Sequence, residues 1–237
     1  MHFSLLNVWS ALAIGIVIAG MASVHSVKTK ALLYVLPIPI SIGLVATHGV
    51  VTVSNLFGLM LIWVFLFVCW RLTDKHGLHI IAADIIAALL YIFLGYWLVR
   101  FINWPFHYVI AVFLALWGVL VWWMRRHPTQ EKPTKPSTIP PTIKGGAASV
   151  ISFGIFSLKD LLAGIVVTFP YNGVFAVIEV KHHLEIFIRS VIRNTIAIAA
   201  LFVVMHYLGP HIPVILSFAC GWVAFGLTLW AVQRISV

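Results

Sequence analysis

The sequence predicts an all-α fold, a polytopic bundle of transmembrane helices with about nine membrane elements in two inverted four-helix repeats joined by a linker helix. Three observations support this prediction. Of the 237 residues, 62% are hydrophobic and only 9% are charged, far from the balance of soluble domains. Most apolar blocks are close to the roughly 20 residues that cross a bilayer. The order of features in the first half also returns in the second half.

Hydropathy places the membrane elements in two groups on either side of a polar stretch. The predicted spans before it are 4–22, 31–48, 52–71, 79–99 and 104–124. After it come a short apolar run at 147–157, a Pro-broken segment at 161–180, and spans at 186–208 and 212–233. The first span has no basic n-region, so we expect a retained helix and not a signal peptide. The resulting division is a first repeat at 1–100, a linker helix and loop at 101–146, and a second repeat at 147–237.

The polar stretch from Arg125 to Gly146 contains five prolines and five basic residues, and is predicted to be an extended cytoplasmic loop. When lysines and arginines are counted on alternate sides from this loop, only Arg100 and Lys159 fall outside. The predicted orientation therefore has the N-terminus outside and the C-terminus in the cytoplasm. An eight-span alternative, with one helix at 147–168, moves more basic residues outside. The net charge of +9 then reflects membrane orientation and not nucleic-acid binding.

A shared spacing predicts the repeat. Lys28 precedes Pro39 by the same interval that separates Lys159 from Pro170. The same displacement aligns 32–48 with 163–179. The alternative is that two apolar segments with a proline align by chance.

The alignment also pairs polar residues of the two halves. His48 lies opposite Glu179 and, with one or two inserted residues, Asp84 lies opposite Ser217. The span at 104–124 has no counterpart. An odd connecting helix between two four-helix units turns the second unit upside down, as in many transporters.

The first unit has a Lys28-Thr29-Lys30 turn, a span with Pro37 and Pro39, and a closing His48-Gly49. In these features it resembles the GlpM family of small four-helix bacterial inner-membrane proteins, over about the first hundred residues. The resemblance implies a multi-pass protein of the bacterial inner membrane, built as a fused duplicate of a subunit that inserts both ways. It implies no particular activity. The second half departs from the pattern, since Lys159-Asp160 stands at the position of the lysine turn.

The second broken segment is the leading candidate for a binding site. Pro170 removes a backbone donor and frees a carbonyl one turn back, and Gly173 lets another backbone approach closely. Tyr171 and Asn172 follow the break and offer donors and acceptors. With Pro39 at the matching place, two broken helices meet near the midplane, as in transporters whose unwound segments bind substrate. The alternative is a kink that serves packing alone.

Asp84 is the candidate for ion or proton coupling. It lies about one turn into an apolar helix, on a face that continues through Ala88 and Tyr91. A carboxylate there must be paired, hydrated or protonated, and the expected partners are Arg189 and Arg193. The alternative role is a buried ion pair that fixes helix register.

Glu179 ends the second broken segment near the predicted inner surface. We expect either a solvated carboxylate or a bridge to Lys181, His182 or Arg193. The two halves then differ in polarity, because Tyr171 and Glu179 stand where the first half has apolar or neutral residues. The second half should supply most hydrogen bonds to a ligand.

No catalytic or metal motif is found in the sequence. There is no nucleophile elbow, phosphate loop or HExxH pattern, and Cys69 and Cys220 lie in apolar runs without metal-ligand spacing. His182-His183 also lacks such spacing. We therefore expect no enzyme, no metal and no cofactor.

The function that these features favour is transport or export of a small solute or ion across the membrane. The alternative is a non-transporting inner-membrane scaffold or assembly subunit of a larger complex. An ion channel is third, since the spans carry few polar residues to line a pore. The expected partners are membrane lipid, a small solute or proton, and a second copy or another membrane protein, but no nucleic acid.

Overall fold

The computed structural model describes residues 5–24, 27–46, 50–127, 140–157 and 165–235, and every regular element in these ranges is helical. In chain order the helices are α1 (Leu5–Ala22), α2 (Val27–Val35), α3 (Ile38–Ala46), α4 (Val53–Asp74), α5 (Ile80–Phe101), α6 (Phe106–Arg126), α7 (Pro141–Ser157), α8 (Ile165–Thr168), α9 (Tyr171–Glu179), α10 (Leu184–Leu208) and α11 (Val214–Ile235). A 3₁₀ turn at Lys181–His183 joins α9 to α10. The predicted all-α class is confirmed.

Five of the described helices, α4, α5, α6, α10 and α11, are long and apolar enough to cross a membrane. Each helix is at least 21 residues long, which at 1.5 Å per residue spans about 30 Å. These helices coincide with the predicted spans at 52–71, 79–99, 104–124, 186–208 and 212–233. The other described helices are shorter, and the count of nine membrane elements stays a prediction.

Two predicted spans are broken at prolines, as expected. The first break lies at Leu36-Pro37, between α2 and α3. Pro39 falls in the first turn of α3, where a missing N–H costs no intrahelical hydrogen bond. The second break lies at Phe169-Pro170, and the helix resumes at Tyr171.

The centre of the bundle is formed by α4 and α10, the most buried of the five long helices. The Trp63 indole of α4 donates a hydrogen bond to Thr195 Oγ1 of α10 at 3.0 Å. Each central helix forms a hairpin with the helix that follows it, α4 with α5 and α10 with α11, and α6 packs against both central helices. The broken segments lie between the hairpins, because α2 packs on α10 while α8 packs on α4.

α1 packs along α7 through small residues. A Cβ atom on Gly15 would lie 2.6 Å from the carbonyl oxygen of Gly145, and a Cβ atom on Gly145 would lie 2.7 Å from that of Gly15. Each glycine begins a small-xxx-small pattern, completed by Ala19 and Ser149, that allows close approach of membrane helices.

α7 begins earlier than its apolar run at 147–157 predicts. Residues 141–146 were expected to form part of an extended loop, but they make the first turns of the helix. Pro141 occupies the first helical position, which suits its fixed φ angle. Lys144 and Gly145 are both buried. Gly145 packs on Gly15 of α1, and Lys144 pairs with Glu179 at the end of α9. The prediction fails because these contacts come from distant parts of the chain.

Candidate functional site

The second break is a tight turn centred on Pro170. The Tyr171 N–H donates to the Phe169 carbonyl oxygen at 2.7 Å. Pro170 has φ −75° and ψ 56°, which are the values of an inverse γ-turn. The Phe169 N–H donates to the Val166 oxygen at 3.3 Å. The chain therefore changes direction within a few residues and re-enters a helix at once.

The carbonyl groups freed by this turn are satisfied by protein hydroxyl groups. Pro170 has no N–H for the Val166 oxygen, and the Tyr171 hydroxyl donates to that oxygen at 2.9 Å. The Ile165 oxygen lies 3.2 Å from the Thr168 hydroxyl and 3.3 Å from the Tyr91 hydroxyl. Tyr91 and Thr168 are also 3.1 Å apart. The Tyr171 hydroxyl, predicted to bond to a ligand, thus donates to a carbonyl oxygen of the protein itself.

Glycines of three helices allow the neighbours of the break to pack closely. A Cβ on Gly58 would lie 2.7 Å from the Thr168 Cβ, and a Cβ on Gly43 would lie 3.2 Å from the Val167 Cα. A Cβ on Gly173 would lie 2.8 Å from the Tyr34 hydroxyl oxygen. All residues from 165 to 171 are buried. The two broken segments do meet, since α3 contacts α8, but they meet in close packing.

Asp84 is buried, with 3% of its surface exposed, and it faces α4. The contact found there is with Cys69, whose Sγ lies 3.9 Å from Asp84 Oδ1. The expected ion pair with Arg189 or Arg193 is wrong. Both arginines lie on the side of α10 that meets α6, whereas Asp84 faces α4.

Arg189 and Arg193 have different surroundings. The Arg189 guanidinium donates to Glu185 Oε1 at 2.6 and 3.1 Å and to the Met124 carbonyl oxygen at 2.9 Å. Arg193, one turn further along α10, has a buried Nε atom without a hydrogen-bond partner. Of the two predicted partners for Asp84, one is satisfied elsewhere and the other has no anion beside it in the described part of the chain.

Glu179 is not a solvated carboxylate, and the partner described for it is not one of the residues predicted. It forms an ion pair with Lys144, and the two side chains are 3% and 4% exposed, respectively. The pair joins the end of α9 to the beginning of α7. Sequence analysis missed it because Lys144 stands in a polar, Pro-rich stretch that is typical of a loop.

A cavity of about 500 Å³ lies at the end of the bundle opposite Glu179, and we call it the end cavity. Its walls come from the beginning of α4, the beginning of α6, the end of α10 and the beginning of α11. The lining residues are Val50, Val51, Thr52, Val53, Trp104, Pro105, Phe106, Met205, His206, Gly209, Pro210, Val214 and Ser217. Apolar walls with a few polar groups are typical of small-molecule sites.

His206 and Ser217 are two polar residues that line the end cavity. His206 Nδ1 lies 3.0 Å from the Val51 carbonyl oxygen, and its ring stacks on Phe106 with 3.8 Å between centroids. The Ser217 hydroxyl is buried and has no hydrogen-bond partner. Sequence analysis did not select this cavity, although the repeat alignment had paired Ser217 with Asp84.

Several predicted residues lie outside the described part of the chain. These are His48, the Lys159-Asp160 pair, and the side chains of Asn172 and His182, whose backbones belong to α9 and to the 3₁₀ turn after it.

In comparisons with protein-family models, curated proteins and solved structures, no significant match to this chain was found. Function must therefore be inferred from the geometry of the molecule alone.

Proposed function

We propose that this chain is a small membrane transporter that moves a solute or a proton between two inverted repeats. The observation that carries the proposal is the end cavity, whose walls come from both halves of the chain and from α6, which joins them. In the predicted orientation it opens on the outer side. The buried Ser217 hydroxyl in its wall has no hydrogen-bond partner and is free to bond to a ligand.

Reciprocal contacts support the inverted repeat on which this proposal depends. Tyr91, from the first half, contacts Thr168 of the second broken segment at 3.1 Å. Trp222, from the second half, donates to Ser41 of the first broken segment at 3.1 Å. Helices that correspond in the repeat also pack on one another, α1 on α7 and α4 on α10. Each broken segment is thus held by the hairpin of the other half.

The two ends of the bundle differ in a way that suits alternating access. Ser217 lines an open cavity, whereas Asp84, its partner in the repeat alignment, is buried against Cys69. In transporters with inverted repeats, the two halves exchange conformations and so open the site to alternate sides. In the predicted orientation this arrangement is that of an outward-open transporter, and the proposed exchange exposes the surroundings of Asp84 to the cytoplasm.

The close packing at the second break favours the alternative, a non-transporting scaffold. A scaffold keeps one conformation, and its prolines and Asp84 serve packing only. The two functions therefore predict different accessibility of Asp84 from the inner side.

The test uses a chain in which Cys69 and Cys220 are replaced by alanine and Asp84 by cysteine. In inside-out vesicles, a membrane-impermeant maleimide should label Asp84→Cys slowly. Adding Ser217→Trp, which prevents closure of the end cavity, should reduce this labelling about tenfold. Val223→Trp, a change at a lipid-exposed position of the same helix, should leave the labelling rate unaltered.

Absence of labelling in all three chains, or equal labelling in all three, would contradict alternating access and favour the scaffold. In parallel, proteoliposomes loaded with a pH-sensitive dye should show proton uptake under an imposed membrane potential. Asp84→Asn should abolish that uptake if Asp84 carries the proton.

A further inference from the structure

Arg193 has no anionic partner among the residues that the structure describes. Its Nε atom is buried without a hydrogen-bond partner, and no ion pair involves it among the described residues. Arg189, one turn earlier on α10, forms an ion pair with Glu185. A charged side chain in a membrane is costly unless it is paired or hydrated. Arg193 is only partly buried, so its guanidinium can be reached from outside the described chain by water or by an anion.

The location of Arg193 is the groove between α6 and α10. The Trp117 indole of α6 lies 3.0 Å from the Ile192 carbonyl oxygen and 3.3 Å from that of Arg193. Arg193 is about 13 Å along α10 from its first residue, Leu184, at 1.5 Å per residue. Side chains of a helix lean toward its N-terminus, so Arg193 leans toward Arg189 and the predicted inner surface.

The inner end of the same groove is strongly basic. Arg125 and Arg126 end α6 and are exposed, and Arg189, which pairs with Glu185, lies one turn before Arg193 on α10. Arg126 lies over the Trp122 ring at 4.1 Å and Arg189 over Trp123 at 5.3 Å. Tryptophans at a membrane interface mark the level of the headgroups. The groove thus joins an interfacial basic surface to an unpaired guanidinium below it.

We propose that the α6–α10 groove binds an anionic phospholipid and that Arg193 is a ligand of its phosphate. A guanidinium matches the planar pairs of phosphate oxygens better than an ammonium does. Basic pockets between transmembrane helices on the cytoplasmic side are known to take anionic headgroups. The proposal does not depend on transport, since a scaffold would bind the same lipid.

The test is native mass spectrometry of the delipidated protein titrated with phosphatidylglycerol or phosphatidylcholine. The unaltered chain should bind the first phosphatidylglycerol more tightly than phosphatidylcholine. Arg193→Gln should weaken phosphatidylglycerol binding about fivefold, because one basic residue near an anionic surface changes the affinity by about that factor. Arg234→Gln is the matched control, because Arg234 also lies over a tryptophan, Trp230, but on α11. It should leave binding unchanged.

Equal affinity of the unaltered chain for the two lipids would overturn the proposal, and this comparison needs no variant to fold. Arg193→Lys keeps the charge and should retain part of the preference. Millimolar inorganic phosphate should not displace the lipid. Displacement would assign the groove to a soluble anion and would also overturn the proposal.

Discussion

The two broken segments, α2–α3 and α8–α9, are both interrupted at a proline but are stabilised differently. At the first break the main chain supplies its own bonds, from the Leu36 N–H to the Leu32 and Leu33 oxygens at 3.2 and 3.1 Å. At the second, the Phe169 N–H bonds to the Val166 oxygen at 3.3 Å in the same way, and the hydroxyls of Tyr91, Thr168 and Tyr171 add bonds to the carbonyls of 165 and 166. The two breaks therefore share a main-chain bond, and side-chain hydroxyls reinforce only the second in this way.

The difference also extends to burial. All residues from 165 to 171 are buried, whereas the matching stretch 34–40 contains two partly buried residues, Leu36 and Ile38. Local motion is expected where buried contacts are fewer. The first segment is therefore the better candidate for movement during a conformational change. The expectation that the more polar second segment supplies most hydrogen bonds to a ligand stays a prediction.

The largest expected effect concerns the anchor of the second segment. Lys144→Met should lower the free energy of unfolding by about 3 kcal/mol, because it leaves Glu179 charged and buried. Unfolding in mixed micelles measures the loss. Lys181→Met, at an exposed lysine next to the same segment, should cost little. Equal losses in the two variants would show that the buried pair does not anchor α9.

A smaller effect is expected from crowding the second break. Gly58→Ala places a methyl group against Thr168 and Tyr91 and should cost about 2 kcal/mol through displaced packing. Gly226 is the control, since a Cβ there meets no atom within 4 Å. Gly226→Ala should be neutral or slightly stabilising in the same assay. A neutral Gly58→Ala would mean that the second break is loosely packed.

The smallest effects compare the hydroxyls of the two segments directly. Tyr171→Phe removes the side-chain donor to the Val166 oxygen and should cost about 1 kcal/mol. Ser41→Ala removes the acceptor of the Trp222 indole, which is only partly buried, and should cost about 0.5 kcal/mol. Thermal unfolding of both variants against the unaltered chain gives the order. A larger loss for Ser41→Ala would reverse the proposed difference in rigidity.

Much of the helical framework follows from hydropathy. The spans at 52–71 and 186–208 are predictable because each is a long apolar run with polar ends. The break at Pro170 is also predictable, since a proline cannot continue the hydrogen-bond pattern of a helix. Such features depend on residues that are close together in the chain.

The features that sequence analysis missed depend on distant residues. The start of α7 requires Glu179 for Lys144 and Gly15 for Gly145. The position of Asp84 against Cys69 depends on which faces of α4 and α5 meet. The end cavity has no local signature at all, because its walls come from three separate connections between helices. The site is therefore less predictable than the fold.

The contact of Gly15 with Gly145 has a consequence for biosynthesis. α1 is synthesised before α7, and five other helices and a long polar connection separate Gly15 from its glycine partner in α7. Until α7 is made, α1 can pack on α3, but its glycine face lacks this partner. Contacts between residues so far apart in a chain form late in folding. Truncation after α6 should therefore leave the glycine face of α1 uncovered, and so make the fragment an early target for quality control.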